Sequence, residues 1–302
     1  MFARFTMPSV KFKILSGLIA SVVFTFTAVT VAAPPGSLNF GAYDPGGDFS
    51  SDTDVQIEHL FLPWEDVDLA SLPAADAYAI ERGRSLLVTL EPWTWTRNER
   101  NTAEALQTGI SNGRYDENVR QVCSSLANLK SNVTLRWGHE MDDSEGQFIW
   151  SGWDHETYIA AYRRVIDTCK KTAPNVQYMW SPFGREDLKE YYPGDDYVDV
   201  VGLTIFGLQK WDNDKFGRDR TFKEILKPRY DLAASLGKPV IVAELGYVGD
   251  TAYVAAWEST VRQKHAEFPA LTAVIYFNQK EVYPWPENYG FPDWRVGSRV
   301  LN

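Results

Sequence analysis

The stretch NVTLRWGHEM, residues 132–141, begins as a short apolar run and ends in charged and polar side chains. The run has the β-branched character of a buried strand, yet it leads directly into Arg136, His139 and Glu140. Because burying an unpaired carboxylate is strongly unfavourable, Glu140 must either be satisfied by the structure or be held for chemistry. The choice between these depends on the segments that surround the strand.

Seven further segments have the same strand-like character. They are apolar or β-branched runs bounded by turn residues, at 38–44, 57–64, 85–93, 175–183, 198–207, 238–247 and 272–279. Amphipathic helical patterns separate most of them, at 75–83, 115–129, 155–171, 221–237 and 251–268. Eight apolar strands that alternate with helices predict parallel pairing and closure into a (β/α)8 or TIM barrel.

Two of the predicted strand–helix units are weak. The first crossover, 46–56, is short, and the helix after the fifth strand is a stub at 185–192. An open doubly wound sheet is the alternative, but no G-x-G-x-x-G follows the first strand to support it. Because no repeat or linker interrupts the pattern, residues 36–302 are predicted to form a single domain.

The composition narrows the class of binding partner. The chain has 302 residues, 44% of them hydrophobic, which suffices for one large core. Its net charge of −10 argues against nucleic acid and against an anionic membrane surface, because both require clustered Lys and Arg. Several tryptophans, among them Trp93 and Trp150, follow the predicted strands, where flat rings suit the C–H faces of sugars. A neutral partner is therefore favoured.

The amino-terminal residues have a pattern of their own. Arg4, Lys11 and Lys13 precede an uncharged stretch, 14–31, that leads into small residues and a Pro-Pro-Gly break. This is typical of a secretory signal peptide over residues 1–33, cleaved after Ala32 because a cut one residue later would leave a proline first. A retained inner-membrane anchor is the alternative, since the stretch is about long enough to span a bilayer. We expect a secreted or periplasmic domain, or an anchored one outside the cytoplasm.

The two cysteines, Cys123 and Cys169, lie in helical patterns that would be neighbours in a barrel. An exported chain permits a disulfide between them. Two buried free thiols fit as well, because the sequence does not show whether the Cα atoms come within the roughly 7 Å that a bridge requires. Both possibilities therefore stay open.

Two of the eight predicted strands end in a glutamate, Glu140 on the fourth and Glu244 on the seventh. TIM barrels carry their active sites at the carboxyl ends of the strands. Because side chains alternate along a strand, Arg136, Gly138 and Glu140 are predicted to share the interior face. Strands four and seven lie on opposite sides of the barrel, which predicts two carboxyl groups across a sugar-sized gap. Glycosidases use such a pair, about 5 to 5.5 Å apart when retaining and about 6.5 to 9.5 Å apart when inverting.

The surroundings separate the two expected roles. Glu140 lies among apolar neighbours and two aspartates, which are expected to disfavour its ionisation and to suit a general acid. Glu244, with Arg136 as a partner inside the barrel, is expected to be the ionised nucleophile. His139 is expected to hydrogen-bond the substrate or to orient the acid.

Five segments, taken in order, resemble glycoside hydrolase family 26. They are RWGHEM, WSGWDHETYIAAYRRVID, VQYMWSP, YYPGDDYVDVVGL and KPVIVAELG, which span most of 133–246. The resemblance implies a retaining barrel in which Glu140 is the acid/base and Glu244 the nucleophile, with His139 and Trp150 beside the acid/base. It implies a β-linked polysaccharide or oligosaccharide substrate, β-1,4-mannan or mixed-linkage β-glucan or a bacterial exopolysaccharide, cleaved within the chain, and no metal or organic cofactor.

Two positions depart from the family pattern. Asp142 and Asp143 follow HEM where members typically have Asn-Gly, and this change is expected to alter substrate contacts. Phe206 occupies the place of a tyrosine that hydrogen-bonds the nucleophile, a role that is open to Tyr247 or Tyr276.

The expected substrate-binding residues are His139, Trp150, Arg136, Trp93, Trp180, Tyr247, Tyr276 and Asp142. Glu91 and Asp44 also end strands and could bind sugar hydroxyls, but capping of the loops that follow is favoured for both. No protein partner is expected, and the domain is expected to act as a monomer.

Two other classes of protein compete with a glycosidase. A non-catalytic polysaccharide-binding or export-accessory protein on a degenerate barrel is the main alternative, and Phe206 favours it. The presence of both Glu140 and Glu244 argues against it, because binding alone does not require a facing carboxyl pair. A polysaccharide lyase would require a Tyr or His base with an Arg or a metal to neutralise a uronate, and no such cluster stands out.

Overall fold

The computed structural model describes residues 33–65, 67–94, 102–143 and 147–301. All of them belong to one compact unit, Val31–Asn302. The predicted signal segment, 1–33, lies outside the described residues except for its last position. Within the described ranges, no helix is both long enough and apolar enough to cross a membrane.

Eight parallel strands close into a barrel in chain order, each hydrogen-bonded to its neighbours in the sequence and the last to the first. The strands are β1 (Asn39–Tyr43), β2 (Val55–Pro63), β3 (Ser85–Glu91), β4 (Val133–Trp137), β5 (Gln177–Trp180), β6 (Val200–Leu208), β7 (Val240–Val248) and β8 (Leu271–Phe277). Each overlaps a predicted strand, so the TIM barrel prediction is confirmed.

Helices cover the outside of the barrel. They are α1 (Leu72–Glu81), α2 (Ala103–Ser111), α3 (Asp116–Ala127), α4 (His155–Lys170), α5 (Gln209–Phe216), α6 (Phe222–Ala234) and α7 (Thr251–Glu258). The side chains of Asp154, Thr221 and Asp250 cap the first turns of α4, α6 and α7, and the cap of α6 is a full capping box with Glu224.

The structure differs from the predicted helices in three places. Helices α2 and α5 were not predicted. Helix α7 ends at Glu258, about ten residues before its pattern does; there the hydroxyls of Ser259 and Thr260 bond to the carbonyl of Ala256 and compete with helix continuation. No helix joins β1 to β2 in the described crossover, and the stub after β5 is a 3-10 turn, Leu188–Tyr191, as its short pattern indicated.

A disulfide joins Cys123 of α3 to Cys169 of α4, with Cα atoms 5.2 Å apart. Both cysteines are fully buried, and the two helices are neighbours on the outer layer. The disulfide alternative is therefore the one that the structure adopts, and it fastens the β3–β4 crossover to the β4–β5 crossover.

The barrel interior has an apolar layer capped by a polar one. Side chains of Leu87, Met179, Val200, Ala243 and Ile275 form the apolar layer, which is separate from the large core between the strands and the helices. Closer to the carboxyl ends of the strands lies a polar layer of His59, Thr89, Arg136 and Glu244. The polar layer forms the floor of the barrel mouth, the end at which the strand carboxyl termini meet.

A β-bulge in β7 determines which of its side chains face the mouth. On the pairing with β6, Leu203 lies opposite Val242, whereas the next residue, Thr204, lies opposite Glu244. Ala243 packs in the interior apolar layer, and the following Glu244 also points inward, to Arg136. Bulges commonly re-aim a side chain in this way beside functional sites.

Candidate active site

The end of β4 places Arg136 and Glu140 at the mouth by two different means. Arg136 lies on the strand and points inward. The strand then ends at Trp137, and the chain turns through Gly138 and Glu140, whose φ angles are 56° and 57°. The prediction that Arg136, Gly138 and Glu140 share one strand face is therefore wrong. A left-handed conformation, not strand alternation, directs Glu140.

Left-handed geometry explains the glycine at 138 and constrains Glu140. A Cβ added at Gly138 would meet no atom closer than 3.7 Å, so the position needs glycine for its φ angle and not for space. A non-glycine residue in this region costs about 1–2 kcal/mol per residue. The backbone N–H of Glu140 donates to the Ser181 carbonyl at 2.7 Å, which ties the turn to the end of β5.

The Glu140 carboxyl group lies in surroundings that favour its protonated form. It is 7% exposed, and its Oε1 accepts a hydrogen bond from the Thr204 hydroxyl. Burial, followed by repulsion from Glu244, raises the pKa of Glu140 to about 8, although Arg136 and Thr204 act in the opposite direction. At neutral pH this side chain therefore holds a proton that it can donate.

Glu244 is held instead as one half of an ion pair. Arg136 Nη1 donates to Glu244 Oε1 at 2.6 Å, and the guanidinium is fully buried. The same nitrogen donates to Thr89 Oγ1 at 3.3 Å, and Thr89 Oγ1 is hydrogen-bonded to His59 Nε2 at 2.8 Å. This polar layer joins β2, β3, β4 and β7, so the expected pairing of Arg136 with Glu244 is present.

His139 is a buried, neutral imidazole beside Glu140. Its ring packs edge-on against Phe148 at 4.7 Å and Phe61 at 6.2 Å between centroids. Burial, together with Arg136 and His59, holds the pKa of His139 well below its usual range. The indole of Trp150 donates to the His139 carbonyl at 2.6 Å.

These groups form a constellation that can transfer a glycosyl group. A protonated carboxyl and a carboxylate paired with arginine come from β4 and β7, on opposite sides of one barrel mouth. Residues 93–235 match the sequence profile of glycosyl hydrolase family 26.

Over this segment the barrel is similar to glycosyl hydrolase family 26.

Relatives and solved structures agree with this similarity. Endoglucanase H of Acetivibrio thermocellus is 24% identical over 253 residues, which is 78% of this chain and 26% of that protein. A β-1,3-xylanase of Vibrio sp is 30% identical over 112 residues, 34% of this chain and 23% of that protein. The chain thus spans about a quarter of the length of these curated relatives. A family 26 β-mannanase structure from Bacteroides ovatus superposes with a TM-score of 0.60 at 18% identity over 80% of both chains, which shows a shared fold.

Two of the expected substrate-binding tryptophans lie together beside the barrel mouth. Trp150 is fully buried, stacks on Phe148 at 4.6 Å and donates to the His139 carbonyl, so it supports the loop that carries Glu140. Trp93 is 7% exposed, packs edge-on against Trp150 at 4.8 Å and lies parallel to Tyr283 at 6.4 Å. Of the two, Trp93 is the one that reaches the surface.

Three other expected substrate-binding residues are not at the barrel mouth. Trp180, Tyr247 and Tyr276 are fully buried. They face the outer layer, because side chains alternate along a strand and the preceding positions lie on the inward face. Those positions are Met179, Gly246 and Ile275. Trp180 packs against Tyr192, Tyr247 stacks on Trp257, and the Tyr276 hydroxyl donates to the Trp294 carbonyl at 2.5 Å. The prediction that these three side chains contact the sugar is therefore wrong.

Neither Tyr247 nor Tyr276 takes the role of the tyrosine that was expected in place of Phe206. The Tyr247 oxygen accepts from Arg299 at 3.2 Å, on the outside of the wall. Phe206 itself is half-buried at the mouth and packs against Trp294 at 4.7 Å. A Cβ at Gly246 would lie 2.6 Å from the Phe206 ring, so this glycine makes room for the aromatic side chain.

Asp142 has a structural role instead of the expected contact with substrate. Its carboxylate accepts hydrogen bonds from three consecutive backbone N–H groups, those of Phe183, Gly184 and Arg185, at 2.5, 2.9 and 2.7 Å. Three amides that converge on one carboxylate form an anion-binding nest. Asp142 therefore fixes the loop after β5, and the neighbouring Asp143 accepts from Arg185 Nη2 at 2.9 Å.

Several mouth residues were missed by sequence reasoning. Glu91, expected to cap a loop, lies near Glu244: burial, followed by repulsion from Glu244, raises the pKa of Glu91 to about 7. Glu281, after β8, accepts from the indoles of Trp294 at 2.8 Å and Trp285 at 3.3 Å. Glu91 ends a strand in the sequence as Glu140 and Glu244 do, and this signal made it a candidate for binding sugar hydroxyls although loop capping was favoured. Asp44 does cap its loop, as expected, by accepting from Phe49 N at 2.7 Å.

Half-buried aromatic rings line the mouth beside Glu244. Tyr43 of β1, Phe61 of β2 and Phe277 of β8 form one cluster, with centroids 4.7 Å apart for Tyr43 and Phe61 and 5.2 Å apart for Tyr43 and Phe277. Burial, followed by Glu91 and Glu244, raises the pKa of the Tyr43 phenol. Each of these residues lies at an inward-facing position near the end of its strand. Closure of the barrel brings the three rings together.

Proposed function

We propose that this chain is a retaining, endo-acting glycoside hydrolase that cleaves β-linked polysaccharide by double displacement. The observation that carries the proposal is the contrast between two glutamates at one mouth. Glu140 is buried, protonated at neutral pH and bound to a neutral hydroxyl, whereas Glu244 is paired with the buried Arg136. An acid and a nucleophile require this difference between two otherwise identical side chains.

In the first step, the Glu244 carboxylate attacks the anomeric carbon while the glycosidic C–O bond breaks. Glu140 gives its proton to the departing oxygen, so the leaving chain departs as a neutral alcohol. The product is a glycosyl ester on Glu244, and Arg136 then pairs with Glu244 less strongly, because the carboxyl group has lost its charge.

In the second step, water attacks the anomeric carbon and displaces Glu244. Glu140, now a carboxylate, takes one proton from that water and returns to its starting state. The two displacements at one carbon give net retention of configuration. The acid, the base and the first nucleophile in this cycle are all side chains of the barrel.

The substrate proposal rests on the mouth and on the relatives together. Proteins to which the chain is similar are named as an endoglucanase, a β-1,3-xylanase and a β-mannanase. The half-buried rings of Tyr43, Phe61 and Phe277 offer apolar faces to a sugar. A β-1,4-mannan or a mixed-linkage β-glucan is therefore the substrate class, and we place the enzyme outside the cytoplasm as a monomer.

A panel of β-glycans tests the proposal. Wild-type protein should release reducing ends from at least one glycan, and Glu140→Ala and Glu244→Ala should each lower kcat by about 10²-fold or more. Glu156→Ala, at an exposed position on α4, is the matched control and should retain full activity. Equal activity in wild type and both mouth variants would contradict the assignment.

Azide rescue assigns the two roles separately. In Glu140→Ala, azide should attack the glycosyl ester and give a β-glycosyl azide, because the nucleophile is still present. In Glu244→Ala, azide should instead replace the nucleophile and give the α-anomer from an activated β-glycoside. Exchange of these two products would reverse the roles, and an α-anomer as the first sugar product of the wild type would refute retention.

A non-catalytic polysaccharide-binding protein is the second candidate, and Phe206 is the observation that favours it. Phe206 removes a hydroxyl from the place where a tyrosine would hold the nucleophile. In that case wild type and Glu140→Ala should bind a glycan with equal affinity by calorimetry, and neither should release product.

A further inference from the structure

Thr204 lies between the two glutamates of the proposed reaction, Glu140 and Glu244. It faces inward on β6, opposite Glu244 across the bulge in β7, and its side chain is buried. Its hydroxyl donates to Glu140 Oε1. Its own carbonyl accepts from the Arg229 guanidinium on α6, so the backbone at this position is held from outside the barrel.

We propose that Thr204 is a positioning residue for Glu140: its hydroxyl holds the carboxyl toward the mouth and stabilises the carboxylate that forms when Glu140 gives up its proton. The inference rests on the proposed function, since it concerns the acid/base of that reaction. Nothing about Thr204 in the sequence indicated this role, because a lone threonine in a strand is ordinary.

The need for such a residue follows from the backbone of Glu140. This residue is left-handed and follows the end of its strand, so strand pairing does not orient its side chain. Its backbone is fixed by Ser181, and among the described residues Thr204 donates the hydrogen bond that its carboxyl accepts. Removing the hydroxyl therefore frees the side chain while leaving the turn intact.

The hydroxyl also affects the acidity of Glu140. A hydrogen bond donated to a carboxylate favours the charged form, which opposes the effect of burial. The charged groups that face Glu140 are Glu244 of β7, Arg136 of β4, Asp143 of its own loop and Arg229 of α6. None of these is altered by a change of the Thr204 hydroxyl to a methyl group.

Thr204→Val and Thr204→Ser form a matched pair. Valine has the shape of threonine without the hydroxyl, and serine keeps the hydroxyl. With β-glycosides that have poor leaving groups, which need the acid, Thr204→Val should lower kcat/KM by about 10-fold. With dinitrophenyl β-glycosides, whose leaving group departs without a proton, it should change kcat/KM by less than about 2-fold. Thr204→Ser should resemble wild type with both. A purely structural defect would lower kcat/KM equally for both kinds of substrate, and that result would overturn the proposal.

The acidity can be measured without any activity. Carbon-13 NMR titration of the Glu140 carboxyl, assigned with Glu140→Gln, should show the pKa of Glu140 shifted upward by about one unit in Thr204→Val and unshifted in Thr204→Ser. The alkaline limb of the kcat/KM profile should move the same way. An unchanged NMR pKa in Thr204→Val would overturn the positioning role. Because the titration also works on an inactive protein, a failure of the proposed hydrolase activity is distinguishable from a failure of this inference.

Discussion

At the residue scale, two kinds of side chain lie at the mouth. Some are placed to contact the sugar in the proposed reaction, and others only hold those side chains in position. Arg136 is the clearest supporting residue: it is fully buried, and Glu244 is the carboxylate with which it pairs. Breaking such a pair leaves an uncompensated charge in the interior, whereas removing both partners together can be nearly neutral. The ion pair therefore offers a test in which stability and chemistry separate.

Arg136→Met should lower the free energy of unfolding by about 3–5 kcal/mol, because Glu244 is then buried without its cation. The double variant Arg136→Met, Glu244→Gln should recover most of this loss in urea titrations while remaining inactive. Arg120→Met, at an exposed position on α3, is the control and should change stability little. No recovery in the double variant would contradict the pairing.

A variant of Asp142 tests whether its carboxylate supports the loop after β5 or contacts the substrate. Asp142→Ala should lower the free energy of unfolding by about 1–3 kcal/mol, because three buried backbone N–H groups lose their acceptor. The KM for short oligosaccharides should stay within about 2-fold of wild type if the carboxylate contacts the loop and not the sugar. A large rise in KM with unchanged stability would restore the original expectation.

At the element scale, periodicity predicted the strands and failed where the backbone departs from regular geometry. All eight strands follow from apolar runs between turn residues, and four of the five predicted helices match closely. The expected substrate contacts of Trp180 and Tyr247 failed because the sequence does not show which face of each strand is interior. The bulge at Ala243 and the left-handed turn at Glu140 are local conformations that strand alternation does not encode.

The disulfide is an element-scale feature with a direct test. It closes a loop with a sequence separation of 46 residues between α3 and α4. In the chain-entropy account, reduction or Cys123→Ser with Cys169→Ser should lower the free energy of unfolding by about 3–4 kcal/mol. Urea titrations with and without reductant measure this, and the double variant should no longer respond to reductant. A reductant effect that persists in the variant would show that another process is responsible.

At the scale of the whole molecule, the site makes stability depend on pH. The pKa of Glu140 is raised by burial from 4.5 to about 8, so the folded chain binds a proton that the unfolded chain releases. Its contribution is therefore fully present below about pH 4.5 and is lost as pH rises toward 8. The acid of the proposed reaction thus opposes folding when it ionises.

Glu140→Gln removes this titration. The variant should be more stable than wild type at pH 8, and the difference in melting temperature should shrink as the pH is lowered toward 4.5. Glu156→Gln, at an exposed position, should show no such trend. A stability difference that is constant between these pH values would mean that Glu140 is ionised throughout.

The polar layer across the barrel has a consequence for cooperativity. Arg136 and Glu244 lie 108 positions apart and meet only when β4 and β7 belong to the same closed barrel. A partly formed barrel that has buried β4 but lacks β7 leaves a guanidinium in an apolar interior without its counter-ion, which is strongly unfavourable. Such half-formed states are therefore disfavoured, and the ion pair couples the formation of β4 and β7 into one folding transition.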